Sequence, residues 1–106
     1  MDLKRISNRD VVKILIGVPK GHKHLRIFLK LNDGSILLFN EAVVANIVRA
    51  YIILKTHPTR RAVKLVQKKL SIKNGLKNGY AEYQLLEENI DEDEIIDEIT
   101  RILSNL

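Results

Sequence analysis

The chain has 106 residues, 45% of them hydrophobic, with a formal net charge of +5 and no cysteine. A chain of this length reads as one domain able to bury a real core. The missing cysteine excludes disulfides, thiolate catalysis and Cys-based zinc sites, and it fits a reducing cytoplasm. The charges are sorted rather than mixed: residues 1–79 carry 17 of the 18 Lys and Arg and four acids, whereas residues 80–106 carry Arg101 alone against nine acids. Such asymmetry points to a basic binding face and an acidic segment that guards or neutralises it. The Lys-, Glu- and Ile-rich, Met-poor composition leans towards that of a thermophile.

The longest apolar stretch, residues 42–54, is interrupted by Asn46 and Arg49 and falls short of the roughly 20 residues of a membrane span. The basic start (Lys4, Arg5, Arg9) leads into an apolar run that contains Lys13 and ends at Pro19-Lys20. It offers no small-residue cleavage site, so a signal peptide is not expected. The expectation is a soluble, cytoplasmic protein.

In chain order, residues 11–18 (VVKILIGV) are rich in β-branched side chains and stop at Pro19, which reads as a strand. Residues 25–31 (LRIFLKL) alternate, with Leu25, Ile27, Leu29 and Leu31 on one face and Arg26, Phe28 and Lys30 on the other. Asn32-Asp33-Gly34-Ser35 supplies turn chemistry, and Ile36–Phe39 completes a three-stranded antiparallel meander. Asn40 is placed to cap a helix that runs to about Lys55, with Glu41 at the positive end of its dipole. That segment is apolar nearly all round, as a central core helix would be, and its β-branched content leaves a strand as the alternative. Thr56-His57-Pro58 breaks the pattern, and Pro58 suits the first turn of a second helix over about 58–72. This helix would place Arg61, Lys64 and Lys68 on one stripe and Val63, Val66 and Leu70 on another.

Two Asn-Gly dipeptides at 74–75 and 78–79 signal turns, and residues 80–86 (YAEYQLL) are a candidate fourth strand. Asp91 then opens the last helix, three residues before Glu94 as in a capping box, with Ile95, Ile96, Ile99, Ile102, Leu103 and Leu106 on one apolar stripe. The expected architecture is a small α+β domain in the order βββααβα, with helices mainly on one face of the sheet.

Three basic constellations stand out. The face Arg26-Phe28-Lys30 sets a flat ring between two cations, the arrangement with which sheets stack single-stranded bases and hold phosphates; the competing expectation is a face covered by helices, with Arg26 and Lys30 snorkelling out. The pair of helices 41–55 and 58–72, followed by a possible β wing, resembles a winged helix-turn-helix. That resemblance implies Arg60, Arg61, Lys64, Lys68 and Lys69 against a DNA backbone or in the major groove. Its turn lacks the frequent Gly, and a helical hairpin with a solvated basic face is the simpler expectation. The hairpin tip from Pro19 to His24 gathers Lys20, Lys23, His22 and His24. His22, His24 and His57 lack an accompanying acid, and the neighbouring lysines repel a divalent cation, so no metal site is expected.

No phosphate-cradling glycine motif, nucleophile elbow or EF-hand spacing is present. The expectation is therefore a non-enzymatic protein without a cofactor. The leading reading is a nucleic-acid-binding protein, for DNA or RNA, that contacts mainly phosphates through Lys20, Lys23, Arg26, Phe28, Lys30, Arg60, Arg61, Lys64, Lys68 and Lys69. The alternative is a protein-interaction or homodimerisation module in which Ile95, Ile99, Ile102 and Leu106 form the seam and the acidic helix meets a basic face.

Overall fold

The computed structural model describes residues 3–70 and 82–105, which form an α+β structure of five strands and two α-helices. The chain divides into two compact units, Met1–Arg49 and Ala50–Leu106. The first holds strands β1 (Val11–Gly17), β2 (Arg26–Leu31) and β3 (Ile36–Asn40) and the first half of helix α1 (Glu41–Thr56). The second holds the rest of α1, strands β4 (Leu65–Lys69) and β5 (Tyr83–Glu87), and helix α2 (Glu92–Leu103).

The three-stranded meander forms as its alternation predicts, in the order β1-β2-β3 and antiparallel throughout. A short 3-10 turn, Asn8–Asp10, leads into β1, with the Asp10 carboxylate accepting from the Ser7 N–H at 2.9 Å. In the β2–β3 connection Gly34 donates to the Leu31 carbonyl (3.1 Å) and Leu31 donates to that of Ser35 (2.9 Å). The positive φ falls on Gly34 alone (91°), as in a turn closed by a left-handed residue. Asp33 contributes by accepting from the Ser35 N–H (2.8 Å) and from the Ser35 hydroxyl, and from Lys4 Nζ at 3.2 Å. Together these hold its carboxyl down at about 2, with the Ser35 hydroxyl the largest influence. The β1–β2 tip turns at Pro19–His22, where His22 N–H meets the Pro19 carbonyl at 3.0 Å and Gly21 has φ 78°.

The expected helix over 58–72 does not form, and with it goes the order βββααβα: residues 60–64 are irregular and Leu65–Lys69 is a strand, so the described order is βββαββα. Residues 71–81, with both Asn-Gly pairs and the start of the candidate fourth strand, lie outside the described residues. The rest of that candidate is β5, which pairs antiparallel with β4 from Leu65↔Glu87 to Lys69↔Tyr83. Nothing in Leu-Val-Gln-Lys-Lys enforces a helix, and a partner strand tips the balance; Glu88 N–H to the Lys64 carbonyl (2.9 Å) and Leu70 N–H to the Glu82 carbonyl (2.7 Å) extend the ladder at both ends.

Helix α2 begins where its cap predicts. Asp91 accepts from the Asp93 N–H at 2.9 Å, the second rather than the third helical N–H of the expected capping box. Buried apolar side chains are few among the described residues: Leu31 in the first unit, Ala62 and Ile95 in the second. Much apolar surface of the described residues is therefore exposed.

Candidate nucleic-acid interface

Directly paired residues of an antiparallel sheet share a face, so the register settles what surrounds Phe28. It lies between Leu15 of β1 and Leu38 of β3, giving a row Leu15–Phe28–Leu38 across the sheet. The neighbouring row on one side is Lys13–Lys30–Ile36, and on the other Gly17–Arg26–Asn40. The face is thus an apolar strip with two cations along one flank and a third along the other.

On this face Leu15 and Leu38 are each 55% exposed and Ile36 is 60% exposed, while Arg26, Phe28 and Lys30 are half-buried; on the opposite face Ile14 and Ile16 of β1 are exposed as well. Lys13 and Lys30 stand directly opposite one another, and neither makes an ion pair among the described residues. Like charges directly opposite in a sheet repel, so the pair is a place where an anion would relieve strain between side chains. Leu15 and Lys13 were not in the sequence-derived site. Their pairing follows the β1–β2 register from Gly17↔Arg26 to Lys13↔Lys30, which alternation within one strand does not reveal. The opposite face carries Ile14, Ile16, Ile27, Leu29, Leu31, Leu37 and Phe39, with Leu31 buried.

At the β1–β2 tip Lys20 and Lys23 are exposed, without ion pairs among the described residues, at the end of the sheet where Arg26 sits. His24 is near Glu41, 3.6 Å from Nδ1 to Oε2. The Nδ1 of His57 accepts from the Thr59 N–H at 3.3 Å. No group of three potential metal ligands occurs among the described residues.

The basic cluster of the second unit has a different environment. Among the described residues no helix lies between α1 and β4, where the recognition helix was expected, so the helix-turn-helix arrangement is not formed there. Arg60 donates from Nε to Glu92 (2.8 Å) and from Nη2 to Glu87, and Arg61 donates from its backbone N–H to Glu92 (3.2 Å) and from Nη2 to Asp93 (2.6 Å). Lys64 lies 3.6 Å from Glu88 and 3.5 Å from Glu98, and Lys69 lies 3.3 Å from Glu82 with its ammonium over the Tyr83 ring. Lys68 makes no ion pair among the described residues. Glu87 and then Glu92 hold the Arg60 guanidinium more firmly protonated than usual. Burial opposes ionisation of Glu92, yet the Arg61 N–H and the Arg60 side chain hold its carboxyl below the ordinary range. The acidic segment therefore faces basic residues of its own unit.

Of the apolar seam proposed on the last helix, Ile95 is buried, Ile102 half-buried and Ile99 exposed, while Leu106 lies outside the described residues. No described helix is long and apolar enough to cross a membrane. Comparison of the chain with protein-family models, curated proteins and solved structures finds no match in any of the three.

Proposed function

We propose that this chain is a nucleic-acid-binding protein whose interface is the Phe28 face of the β1-β2-β3 sheet, extended by the Lys20–Lys23 tip. The observation that carries the reading is the exposed row Leu15–Phe28–Leu38 flanked by Lys13, Lys30 and Arg26. A flat aromatic and aliphatic strip accepts the faces of unpaired bases, and cations beside it meet phosphates, which favours a single strand. The charge balance supports the same location: the unit containing this sheet has nine Lys and Arg against four acids, whereas the other has nine against nine. Arg60, Arg61, Lys64 and Lys69 already have carboxylate partners, so their part is secondary, with Lys68 beside them.

Fluorescence polarisation with labelled single-stranded DNA, RNA and duplex DNA at two salt concentrations tests the proposal. Binding is expected to fall steeply with salt, by roughly 0.7 in log–log slope per phosphate neutralised on a single strand. Phe28→Ala should weaken single-strand binding by about 1–3 kcal/mol if one base stacks on the ring. No binding of any probe at low salt would end the proposal. The second reading, a protein-interaction module, is favoured by the exposure of Ile99 and Leu103 on α2; it requires association, read by light scattering, that Ile99→Ser with Leu103→Ser abolishes.

A further inference from the structure

β1 is an edge strand: β2 occupies one side, and no described strand pairs with the other. Sheet edges of soluble proteins are ordinarily blunted by charge, proline or brevity. This edge is seven residues long and carries one charge, Lys13, and its register irregularity is confined to the start, between Val11 and Lys13, which leaves Lys13–Gly17 regular. Its side chains are exposed on both faces of the sheet: Val12 57%, Ile14 54%, Leu15 55%, Ile16 68%, with Val18 beyond the strand end at 53%.

The sequence along this edge, Val12-Lys13-Ile14-Leu15-Ile16-Gly17-Val18, reads nearly the same in both directions about Leu15. Antiparallel pairing reverses one strand against the other, so a strand with this symmetry is complementary to its own copy about a two-fold axis. Centred on Leu15, the pairing of the regular stretch sets Leu15 opposite Leu15 and Ile14 opposite Ile16. The departure from the palindrome falls at Lys13, which then faces Gly17 of the copy rather than another lysine. The one charge on the edge meets neither a like charge nor a bulky neighbour.

From this we infer that the protein dimerises by pairing β1 with β1 of a second copy, making a continuous six-stranded antiparallel sheet. The inference goes beyond the nucleic-acid reading and does not depend on it, since it rests on the edge and not on the cations. It does have a consequence for that face: Leu38, Phe28 and Leu15 of one copy continue in a single row into Leu15, Phe28 and Leu38 of the other. With strands about 4.8 Å apart, the two Phe28 backbones stand roughly 14 Å from each other.

The absence of cysteine makes the test direct. Across the axis the Leu15 Cα atoms would be about 4.5–5.5 Å apart, within the range a disulfide bridges. Two Lys13 residues would be offset by four positions, about 13 Å along the strand. Under mild oxidation Leu15→Cys should form a covalent dimer rapidly, and Lys13→Cys should not. In sedimentation velocity the unmodified chain should be a concentration-dependent dimer without nucleic acid. Added salt should strengthen the dimer by screening repulsion between the two basic units, the opposite of its effect on nucleic-acid binding. Leu15→Arg, which sets two guanidinium groups across the axis, should give a monomer with an unchanged circular dichroism spectrum, and Leu15→Ile should remain a dimer. A monomer at every concentration and salt would overturn the inference. So would equal cross-linking at positions 13 and 15, or a dimer that survives Leu15→Arg without cross-linking through Leu15→Cys.

Discussion

Asp33 and Gly34 divide the work of one turn between a carboxylate and a missing side chain. Asp33 gathers the Ser35 hydroxyl, the Ser35 N–H and Lys4, and its carboxyl drops from an ordinary 3.8 to about 2. A carboxyl depressed by folding stabilises the fold above its unfolded value and loses that contribution as the pH falls through the folded one. The turn's contribution should therefore be full above about pH 4 and disappear towards pH 2, a window that carboxyl NMR titration of the chain and of Ser35→Ala reads directly; Ser35→Ala should bring Asp33 back up. Gly34 has open space where a Cβ would go, but its φ of 91° is one that side chains resist. Gly34→Ala should cost about 1–2 kcal/mol from backbone strain alone, measured by urea unfolding. In the second unit, Ile95 is 5% exposed, and Ile95→Ala should cost about 2–5 kcal/mol.

The strands of the meander and helix α2 were legible along the chain from alternation, turn residues and the Asp91 cap, whereas the all-round apolar α1 segment left a strand as the alternative and its expected cap, Asn40, is the last residue of β3. Alternation in 25–31 and the Asp91 cap before an apolar stripe are local, and the structure preserves them within a residue or two. Residues 58–70 were not legible in that way. Pro58 and the stripes of Arg61, Lys64 and Lys68 suit a helix, yet the segment runs irregularly from Arg60 into β4. Its conformation is set by partners distant in sequence: β5 for the backbone, and Glu87, Glu92 and Asp93 for the two arginines. The same ion pairs make Arg60→Ala a test of this element. It should lower the unfolding midpoint of the second unit and release the Glu92 carboxyl upward towards its ordinary value, visible by NMR. Because Glu92 is depressed on folding, its contribution is present above 4.5 and is lost as pH falls below that.

Across the chain, the sorted charge pattern resolves into two units of different balance. The acidic segment lies against basic residues of its own unit, leaving the excess positive charge with the meander. Truncation at residue 90 should therefore strip Arg61 of its carboxylate partner, take one of two partners from Arg60 and from Lys64, and remove Ile95 from the small core, unfolding the second unit rather than merely baring a binding face; loss of protection in hydrogen exchange over β4 and β5 would show it. Among the described residues, the few buried side chains and the bare β1 edge both leave apolar surface exposed.

Periodicity, turn residues and caps are properties of neighbouring residues, so the meander, α2 and the basic-aromatic row on β2 could be read from the amino-acid order. The near-palindrome around Leu15 is in that order too, but it has meaning only once β1 is known to be an edge. Which residues flank Phe28 on its face, which lysine stands across from Lys30, and whether Arg60 and Arg61 are free to bind were matters of distant pairing. Lys13 and Lys30 are 17 positions apart, and Arg60 and Glu92 are 32 apart, and no local propensity encodes such distances.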